Sequence, residues 1–213
     1  MKSNILIIED HYFVREAIET CVKEIDNDCN ILKSSSLNEA MACLKNTSAE
    51  FKIITDLDLS DSYGFNTVKN IFNINRKFDI MIFTAHNDFE LQSYFMKMGV
   101  MGYVTKNKTV DEVKASIKMF LNGEKIFDPI AYVTNSDLLE IKYLRINKLS
   151  KKEKDILKYF SEGNSIDNIS NILSLSQITL NQYISNIVKK LNCKNIYTAV
   201  MEYQFMKKYG FIQ

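Results

Sequence analysis

The stretch Phe51-Lys52-Ile53-Ile54-Thr55-Asp56-Leu57-Asp58-Leu59-Ser60 decides the fold of this chain. Its first five residues are rich in aromatic and β-branched side chains, which favour a buried β-strand. The carboxylate of Asp56 follows at once, at the end of the predicted strand. Similar runs on either side of this stretch therefore determine the topology.

Four further strand-like runs flank this stretch, at 5–8, 30–33, 80–84 and 101–105. Segments with apolar residues at helical spacing alternate with them, near 17–25, 37–47, 64–73, 88–97 and 109–121. Strands that alternate with helices predict a parallel sheet covered on both faces, because each crossover is right-handed. The predicted fold class is α/β, with a doubly wound five-stranded parallel sheet.

The composition is that of an ordinary globular protein. The chain has 213 residues, enough for two domains, with 46% apolar and 25% charged residues. It contains no apolar run of the ~18 residues that a membrane span requires. Glu9 and Asp10 come too early for a signal peptide, so we expect a cytoplasmic protein. The four cysteines form no Cys-x-x-Cys pair, which favours reduced thiols over a zinc site.

The carboxyl-terminal part contains no strand-like run. Asp128-Pro129 holds the only proline and marks a break, and 129–148 is typical of a connector. Ser150 and Glu153 have capping-box spacing at the start of a predicted helix that ends at Gly163. Further helices are predicted over 165–173, 177–191 and 195–208. Two short helices joined by a tight turn, inside a small all-α domain, form a helix-turn-helix arrangement.

Charge is distributed unevenly along the chain. Residues 1–128 contain 15 basic and 19 acidic side chains, whereas 149–213 contain 9 basic and 5 acidic ones. The first part has a net charge of −4 and the last part +4, although the whole chain is close to neutral. The basic part is therefore the candidate for a polyanionic partner, on a modest excess of charge.

Five polar side chains follow the predicted strands at one edge of the sheet. Glu9 and Asp10 end the first strand, Asp56 the third and Thr84 the fourth, and Lys106 follows the fifth. Chemistry in a doubly wound sheet lies at the carboxyl ends of the strands, so these groups should converge. Clustered carboxylates repel one another unless a cation lies among them, and hard oxygen ligands suit Mg²⁺. Asp56 would then accept a phosphoryl group that Lys106 and Thr84 contact.

Two other interpretations of this pocket remain open. Asp10, Asp56 and Lys106 could form an ion-pair network in a protein that is not phosphorylated. The stretch 56–60 also resembles the aspartate nucleophile motif of haloacid-dehalogenase-type phosphatases. Those enzymes place the motif on the first strand and carry a cap domain, whereas here it follows the third strand. Its position favours a phosphoacceptor regulator over an enzyme.

Residues 1–125 resemble the receiver domain of two-component response regulators. The matching motifs are Ile-Ile-Glu-Asp-His at 7–11, Thr-Asp-Leu-Asp-Leu at 55–59, Phe-Thr-Ala-His at 83–86 and Gly-Tyr-Val-Thr-Lys at 102–106. Their order, spacing and placement on strands all agree with the family. The resemblance implies a flavodoxin-like fold in which a sensor histidine kinase phosphorylates Asp56.

The resemblance also implies a role for each group in the pocket. Asp10 and Asp56 would bind Mg²⁺ through their side chains, Glu9 through a water molecule and Asp58 through its backbone carbonyl. Thr84 and Tyr103 would form the switch pair, Lys106 would contact phosphate, and the Lys106–Asn107 peptide would be cis. Ser60 stands where the family often has proline, a departure that removes no catalytic group.

Residues 149–205 resemble the LuxR-type helix-turn-helix domain of NarL/FixJ-class regulators. The matching positions are Leu149-Ser150, Glu153, Ile156-Leu157, Glu162-Gly163, Ile169, Leu173, Leu175-Ser176, Thr179, Ile184, Ser185-Asn186-Ile187 and Lys190-Leu191. The apolar ones form a core whatever the function. The implied recognition helix, about 177–190, departs from the family at Asn181, where lysine is usual, and at Tyr183, where histidine is usual.

A recognition helix of this class enters the major groove of DNA. Four uncharged side chains are expected to face outward, namely Thr179, Asn181, Gln182 and Ser185. Asn and Gln pair with the edge of adenine, so we predict readout of A·T pairs. Lys189, Lys190 and Thr179 are expected to contact phosphates. Loss of the usual lysine leaves open a helix-turn-helix that binds protein instead of DNA.

The predicted protein is a phosphorylation-switched transcription factor. It would have a receiver domain at 1–125, a linker at 126–148 and a helix-turn-helix domain at 149–213. Phosphorylation of Asp56, with Mg²⁺ as cofactor, would change dimerisation or interdomain contacts and so control DNA binding, typically by a homodimer. The alternative is a phosphorylation-independent or protein-binding regulator with a vestigial switch.

Overall fold

A computed structural model describes residues 3–45, 49–134 and 137–212. Residues 1–136 and 137–213 form two compact units. The first is α/β and the second all-α, which confirms the predicted fold class. Positions 1–2, 46–48, 135–136 and 213 lie outside the described residues. They belong to the predicted domains and linker, and 46–47 also to the predicted second helix. Within the described ranges, no helix is both long enough and apolar enough to cross a membrane.

The described residues of the first unit form seven strands in two sheets. They are β1 (Asn4–Ile8), β2 (Asn30–Ser34), β3 (Phe51–Thr55), β4 (Asp58–Leu59), β5 (Ser62–Tyr63), β6 (Asp79–Thr84) and β7 (Gly102–Thr105). Five of them make a parallel sheet in the order β2-β1-β3-β6-β7. The direction of winding reverses between β1 and β3, and the carboxyl ends of these strands therefore flank the crevice where such folds bind ligands.

In the part of the first unit that the structure describes, five helices cover this sheet. They are α1 (Tyr12–Ile25), α2 (Leu37–Lys45), α3 (Phe65–Ile74), α4 (Phe89–Met98) and α5 (Val110–Leu121). Ile18 of α1 and Phe120 of α5 share one buried cluster with Ile5 and Ile7 of β1. Leu6, which lies between those two on the strand, is also fully buried. Alternate residues of β1 thus face opposite layers, as expected for a parallel strand covered on both sides.

The hairpin of β4 and β5 was not predicted. Strands of two residues are too short to show a periodicity. Gly64 closes the base of the hairpin, because its N–H donates to the Leu57 carbonyl at 2.7 Å. Gly64 has a φ of +58°, a conformation that glycine adopts at little cost. The hairpin holds Asp58 beside the end of β3.

The segment predicted as a linker is mostly helical and is divided between the two units. Ile126 lies beside Gly102 of β7, and α6 (Pro129–Val133) packs on α4. Helix α7 (Asp137–Asn147) belongs to the second unit, where Leu139 and Ile146 are buried. Many residues of these helices are apolar, but several of them, such as Leu138 and Leu144, are exposed. The apolar residues therefore give no single-faced helical pattern, and tertiary contacts stabilise the helices.

The second unit continues with four more helices. They are α8 (Lys151–Ser161), α9 (Ile166–Leu173), α10 (Gln177–Leu191) and α11 (Ile196–Lys208). The predicted capping box of Ser150 and Glu153 is confirmed at the start of α8. Ser174 ends α9 in the left-handed conformation, and Ser176 caps α10 by accepting from the Thr179 N–H. This tight turn produces the helix-turn-helix of α9 and α10.

Candidate functional site: an acidic pocket and a recognition helix

Two buried carboxylates share one ammonium group at the carboxyl edge of the sheet. Glu9 and Asp56 are only 1% and 4% exposed. The Lys106 Nζ lies 2.8 Å from Glu9 Oε2 and 2.7 Å from Asp56 Oδ2. The other Asp56 oxygen accepts from the Leu57 N–H at 2.6 Å. The groups at the ends of β1 and β3 thus meet the group that follows β7, as the strand ends predict.

The ion pairs keep Lys106 charged. Burial alone would lower the pKa of the Lys106 ammonium, but hydrogen bonds to Asp56 and Glu9 outweigh that effect and raise the pKa above its ordinary value. A group in this position therefore offers a fixed positive charge to any anion that reaches Asp56.

Asp10 and His11 complete a cluster that could hold a metal ion. Ligand atoms of Glu9, Asp10, His11 and Asp56 all lie within 4.8 Å of one another. His11 Nδ1 is 2.9 Å from Asp10 Oδ1. Three carboxylates face a single ammonium, so the cluster has room for further positive charge. Its hard oxygen donors are the ligands that Mg²⁺ prefers, and the residues therefore fit this ion.

The side chain of Asp58 points to a different partner. Its Oδ2 lies 2.9 Å from His86 Nε2, and His86 also makes an edge contact with the Tyr63 ring. Asp58 therefore stands at the rim of the pocket, on the hairpin that follows β3. The interpretation of Asp58 as a backbone ligand is compatible with this side-chain pairing and stays a prediction.

Thr84 and Tyr103 both hold the backbone of His86. The His86 N–H donates to Thr84 Oγ1 at 3.3 Å, and the Tyr103 hydroxyl donates to the His86 carbonyl at 3.0 Å. Both side chains are buried, and the Tyr103 ring stacks on Phe95 with ring centroids 6.2 Å apart. A displacement of the Thr84 hydroxyl would therefore affect the Tyr103 hydroxyl through the backbone of His86.

The expectation of a cis Lys106–Asn107 peptide is wrong. None of the peptide bonds in the described ranges is cis. The Lys108 N–H donates to the Thr105 carbonyl at 3.3 Å, which closes this turn with trans peptides. A trans bond avoids the roughly 3 kcal/mol that a cis bond costs at a residue other than proline.

Helix α10 presents a polar face to solvent. Asn181, Gln182, Ser185 and Lys189 are exposed, whereas Leu180 and Ile187 on the opposite side are fully buried. Thr179 is half-buried, and its hydroxyl lies 2.8 Å from Ser176 Oγ in the cap of the helix. The predicted outward candidates therefore lie on an accessible part of the helix.

Lys190 has a partner within the domain. Its Nζ lies 2.8 Å from both carboxylate oxygens of Glu153, a side chain that is 3% exposed. Burial alone would raise the pKa of Glu153, but hydrogen bonds from Lys190 and Ser150 outweigh it and lower the pKa. This ion pair ties the recognition helix to the start of α8.

The sequence reasoning missed two parts of this arrangement. It gave no role to His11 in the acidic cluster or to His86 between Thr84 and Tyr103, although the two histidines lie within two residues of Asp10 and Thr84. It also assigned Lys190 to phosphate alone, because Glu153 lies 37 positions away and no local pattern connects the two residues.

An acidic pocket on a doubly wound sheet, followed by a helix-turn-helix, defines a regulator rather than a catalytic enzyme. Residues 5–118 match the sequence model described as the response regulator receiver domain, and 147–203 match the one described as bacterial regulatory proteins of the luxR family. The chain belongs to the NarL/FixJ-type response regulators, with a receiver domain followed by a LuxR-type DNA-binding domain. Receiver domains bind Mg²⁺ at an acidic pocket.

Relatives of known name are similar over most of their length. The transcriptional regulatory protein DesR of Bacillus subtilis is 26% identical, with 92% of this chain and 94% of that protein covered. The Fimbriae Z protein of Salmonella typhimurium is 24% identical over 91% and 92%. RcsB of Salmonella enterica serovar Typhimurium, solved on promoter P1flhDC with the phosphomimetic BeF3-, shares the fold with a TM-score of 0.59, 24% identity and coverage of 96% and 98%.

Proposed function

We propose that this protein is a transcription factor whose DNA binding is controlled by phosphorylation of Asp56. The observation that carries the proposal is the contact of one ammonium, that of Lys106, with two buried carboxylates at the edge of the sheet. Such a cluster is poised for an incoming phosphoryl group, because the group would meet a charged donor and a nucleophile at one point. The phosphoryl donor would be the phosphohistidine of a sensor kinase.

Phosphoryl transfer requires little from the protein beyond positioning and charge. The Asp56 carboxylate would attack phosphorus, the bond from phosphorus to the kinase imidazole would break, and an acyl phosphate and a free imidazole would result. Lys106 would then contact a phosphoryl oxygen. A bound Mg²⁺ would supply further charge neutralisation, held by Asp10 and Asp56, with Glu9 acting through water and the carbonyl of Asp58.

The switch would act through the backbone of His86. Once the phosphoryl group is present, the Thr84 hydroxyl would donate to it and release the His86 N–H. The carbonyl that holds the Tyr103 hydroxyl belongs to the same residue, so the two switch side chains would change together. This coupling is the reason to expect that chemistry at Asp56 alters a surface outside the pocket.

The output would be sequence-specific DNA binding through α10. Asn181 and Gln182 would read adenine edges, with Thr179 and Ser185 beside them, and Lys189 would contact a phosphate. Lys190 is paired with Glu153, so a contact with a phosphate would divide its charge between the phosphate and that carboxylate. A homodimer on DNA would double these contacts; structural work on RcsB, which shares the fold, describes two dimers bound to two parallel DNAs.

The phosphorylation step is tested by intact-mass spectrometry after incubation with acetyl phosphate. The expected result is the mass gain of one phosphoryl group in the wild-type chain with Mg²⁺, and no gain when Mg²⁺ is chelated or when Asp56 is replaced by Asn. Asp58→Asn is the matched control, since it removes a neighbouring carboxylate that contacts His86. A mass gain in the Asp56→Asn chain would contradict the assignment of Asp56 as the acceptor. A wild-type chain that gains no mass with Mg²⁺ would favour the phosphorylation-independent alternative.

A further inference from the structure

The second residue of the recognition helix is a large apolar side chain in water. Ile178 of α10 is 75% exposed, and it follows the Ser176 cap by two positions. The helix does not need this side chain for its core, because Leu180, Ile187 and Leu191 supply the buried face. A single exposed isoleucine is common on protein surfaces, so its position relative to its neighbours decides whether it has a role.

Ile178 lies in the middle of the face that carries the proposed base-reading residues. Successive residues of an α-helix are about 100° apart around the axis. Positions 181, 182, 185 and 189 therefore all lie within about 60° of position 178. These positions are Asn181, Gln182, Ser185 and Lys189, and all four are exposed. Buried Leu180 and Ile187 lie on the opposite side.

The chemistry of this face suits the edge of a DNA base pair. It carries an isoleucine, two amides, a hydroxyl and one ammonium, and no carboxylate that would repel a polyanion. In the major groove, an A·T pair presents the hydrogen-bonding edge of adenine beside the C5-methyl group of thymine. An amide recognises the first of these groups, and an aliphatic side chain covers the second.

We propose that Ile178 is a specificity-determining residue that contacts thymine methyl groups in the major groove. Together with Asn181 and Gln182, it would recognise A·T pairs through both strands, which accounts for a recognition helix without the usual lysine at position 181. This proposal rests on the proposed DNA binding, and it adds that the methyl group of thymine is itself recognised.

The first test changes the DNA and not the protein, by removing the C5-methyl group of thymine. The full chain, with Mg²⁺ and beryllofluoride, first selects duplexes from a random pool. In the best duplex each thymine is then replaced in turn by deoxyuridine, which lacks only the C5-methyl group. Binding is measured by fluorescence anisotropy at fixed salt. Removal of one buried methyl group should weaken wild-type binding about four-fold at one or two positions in each half-site.

The variant Ile178→Ala should bind the thymine duplex several-fold more weakly and should no longer distinguish thymine from deoxyuridine at those positions. Ile141→Ala is the matched control, since Ile141 is an exposed isoleucine of α7 in the same unit, and it should keep the wild-type discrimination. Both variants should retain their circular dichroism spectra, because both side chains are exposed.

Three outcomes would overturn the proposal, and the last can be told apart from the first two. Wild-type protein that binds every deoxyuridine duplex as tightly as the thymine duplex would contradict the role of Ile178 and leave DNA binding intact. The same conclusion follows if Ile178→Ala keeps the full thymine preference. A chain that selects no duplex at all would contradict the proposed function and this inference together.

Discussion

Replacing Lys190 by Met should destabilise the DNA-binding domain, although the side chain is 42% exposed. Its ammonium is the counter-ion of Glu153, whose carboxylate is buried and also accepts from the Ser150 N–H at 2.7 Å. Methionine keeps the length of the side chain and the helix propensity of the position. The substitution therefore removes the charge and little else.

The size of the effect follows from the burial of the partner. Removing one member of a fully buried ion pair costs about 3–5 kcal/mol, because the other charge is left uncompensated. Since water reaches the exposed part of Lys190, we expect about 2 kcal/mol. Glu153→Gln leaves no buried charge and keeps an oxygen for the Ser150 N–H, so it should cost about 1 kcal/mol. The double variant should resemble Glu153→Gln, because the charges are coupled.

Hydrogen–deuterium exchange of the full chain measures this cost locally. A loss of 2 kcal/mol corresponds to about thirty-fold lower protection in peptides from α8 and α10, with receiver peptides as the internal reference. The effect should depend on pH. The folded-state pKa of Glu153 is lowered from 4.5, so its contribution is present above pH 4.5 and is lost as the pH falls through the lower folded value.

Unchanged protection in Lys190→Met would refute this reasoning, as would a double variant whose cost equals the sum of the two single ones. The salt dependence of DNA affinity separates the two roles of this lysine. If Lys190 also contacts a phosphate, the Lys190→Met variant will lose about one unit of slope in a plot of log affinity against log salt.

Three further predictions concern the receiver domain. Lys106→Met should lower the free energy of unfolding of the receiver domain by about 3 kcal/mol, measured by urea denaturation without metal. Added Mg²⁺ should stabilise this variant more than wild type, and equal effects of Mg²⁺ would contradict neutralisation of the carboxylates by Lys106. Tyr103→Phe removes the hydroxyl that donates to the His86 carbonyl and should cost about 1 kcal/mol, with faster amide exchange around His86; unchanged exchange would contradict the link between the two residues. Gly102→Ala would place a Cβ 2.9 Å from Met81 Cγ and should cost about 1–3 kcal/mol, measured by thermal unfolding; a variant as stable as wild type would show that Met81 moves freely.

Local patterns were sufficient to predict the sheet and the convergence of the pocket. The strands β1, β3 and β6 are short apolar runs, and the group that meets its partners lies at the end of the run, as Asp56 does after β3. The handedness of the crossovers predicts the layers of helices on the sheet, whereas the strand order β2-β1-β3-β6-β7 was not predicted from the residues. No side-chain distance has to be known to predict that Glu9, Asp56 and Lys106 share one edge.

Long-range contacts explain what the sequence did not reveal. The pair of Glu153 and Lys190 joins two helices, and neither residue is unusual in its own segment. Helix α7 was predicted as part of a connector, and its apolar residues do not lie along a single face, since Leu138 and Leu144 are exposed. Burial of Leu139 and Ile146 nevertheless makes it part of the second unit. The exposure of Ile178 required no knowledge of long-range contacts, because the roughly 100° spacing of a helix places position 178 on the face of Asn181, Gln182 and Ser185.

Coupling between Asp56 and the helix-turn-helix is tested most directly by DNA affinity with and without a phosphoryl mimic. Fluorescence anisotropy with an A·T-rich duplex at fixed salt should show tighter binding of the wild-type chain when Mg²⁺ and beryllofluoride are added, by roughly 5- to 150-fold. Asp56→Asn should bind as the unmodified chain does under both conditions. Equal affinity of the wild-type chain with and without the mimic would contradict control of DNA binding by the receiver domain.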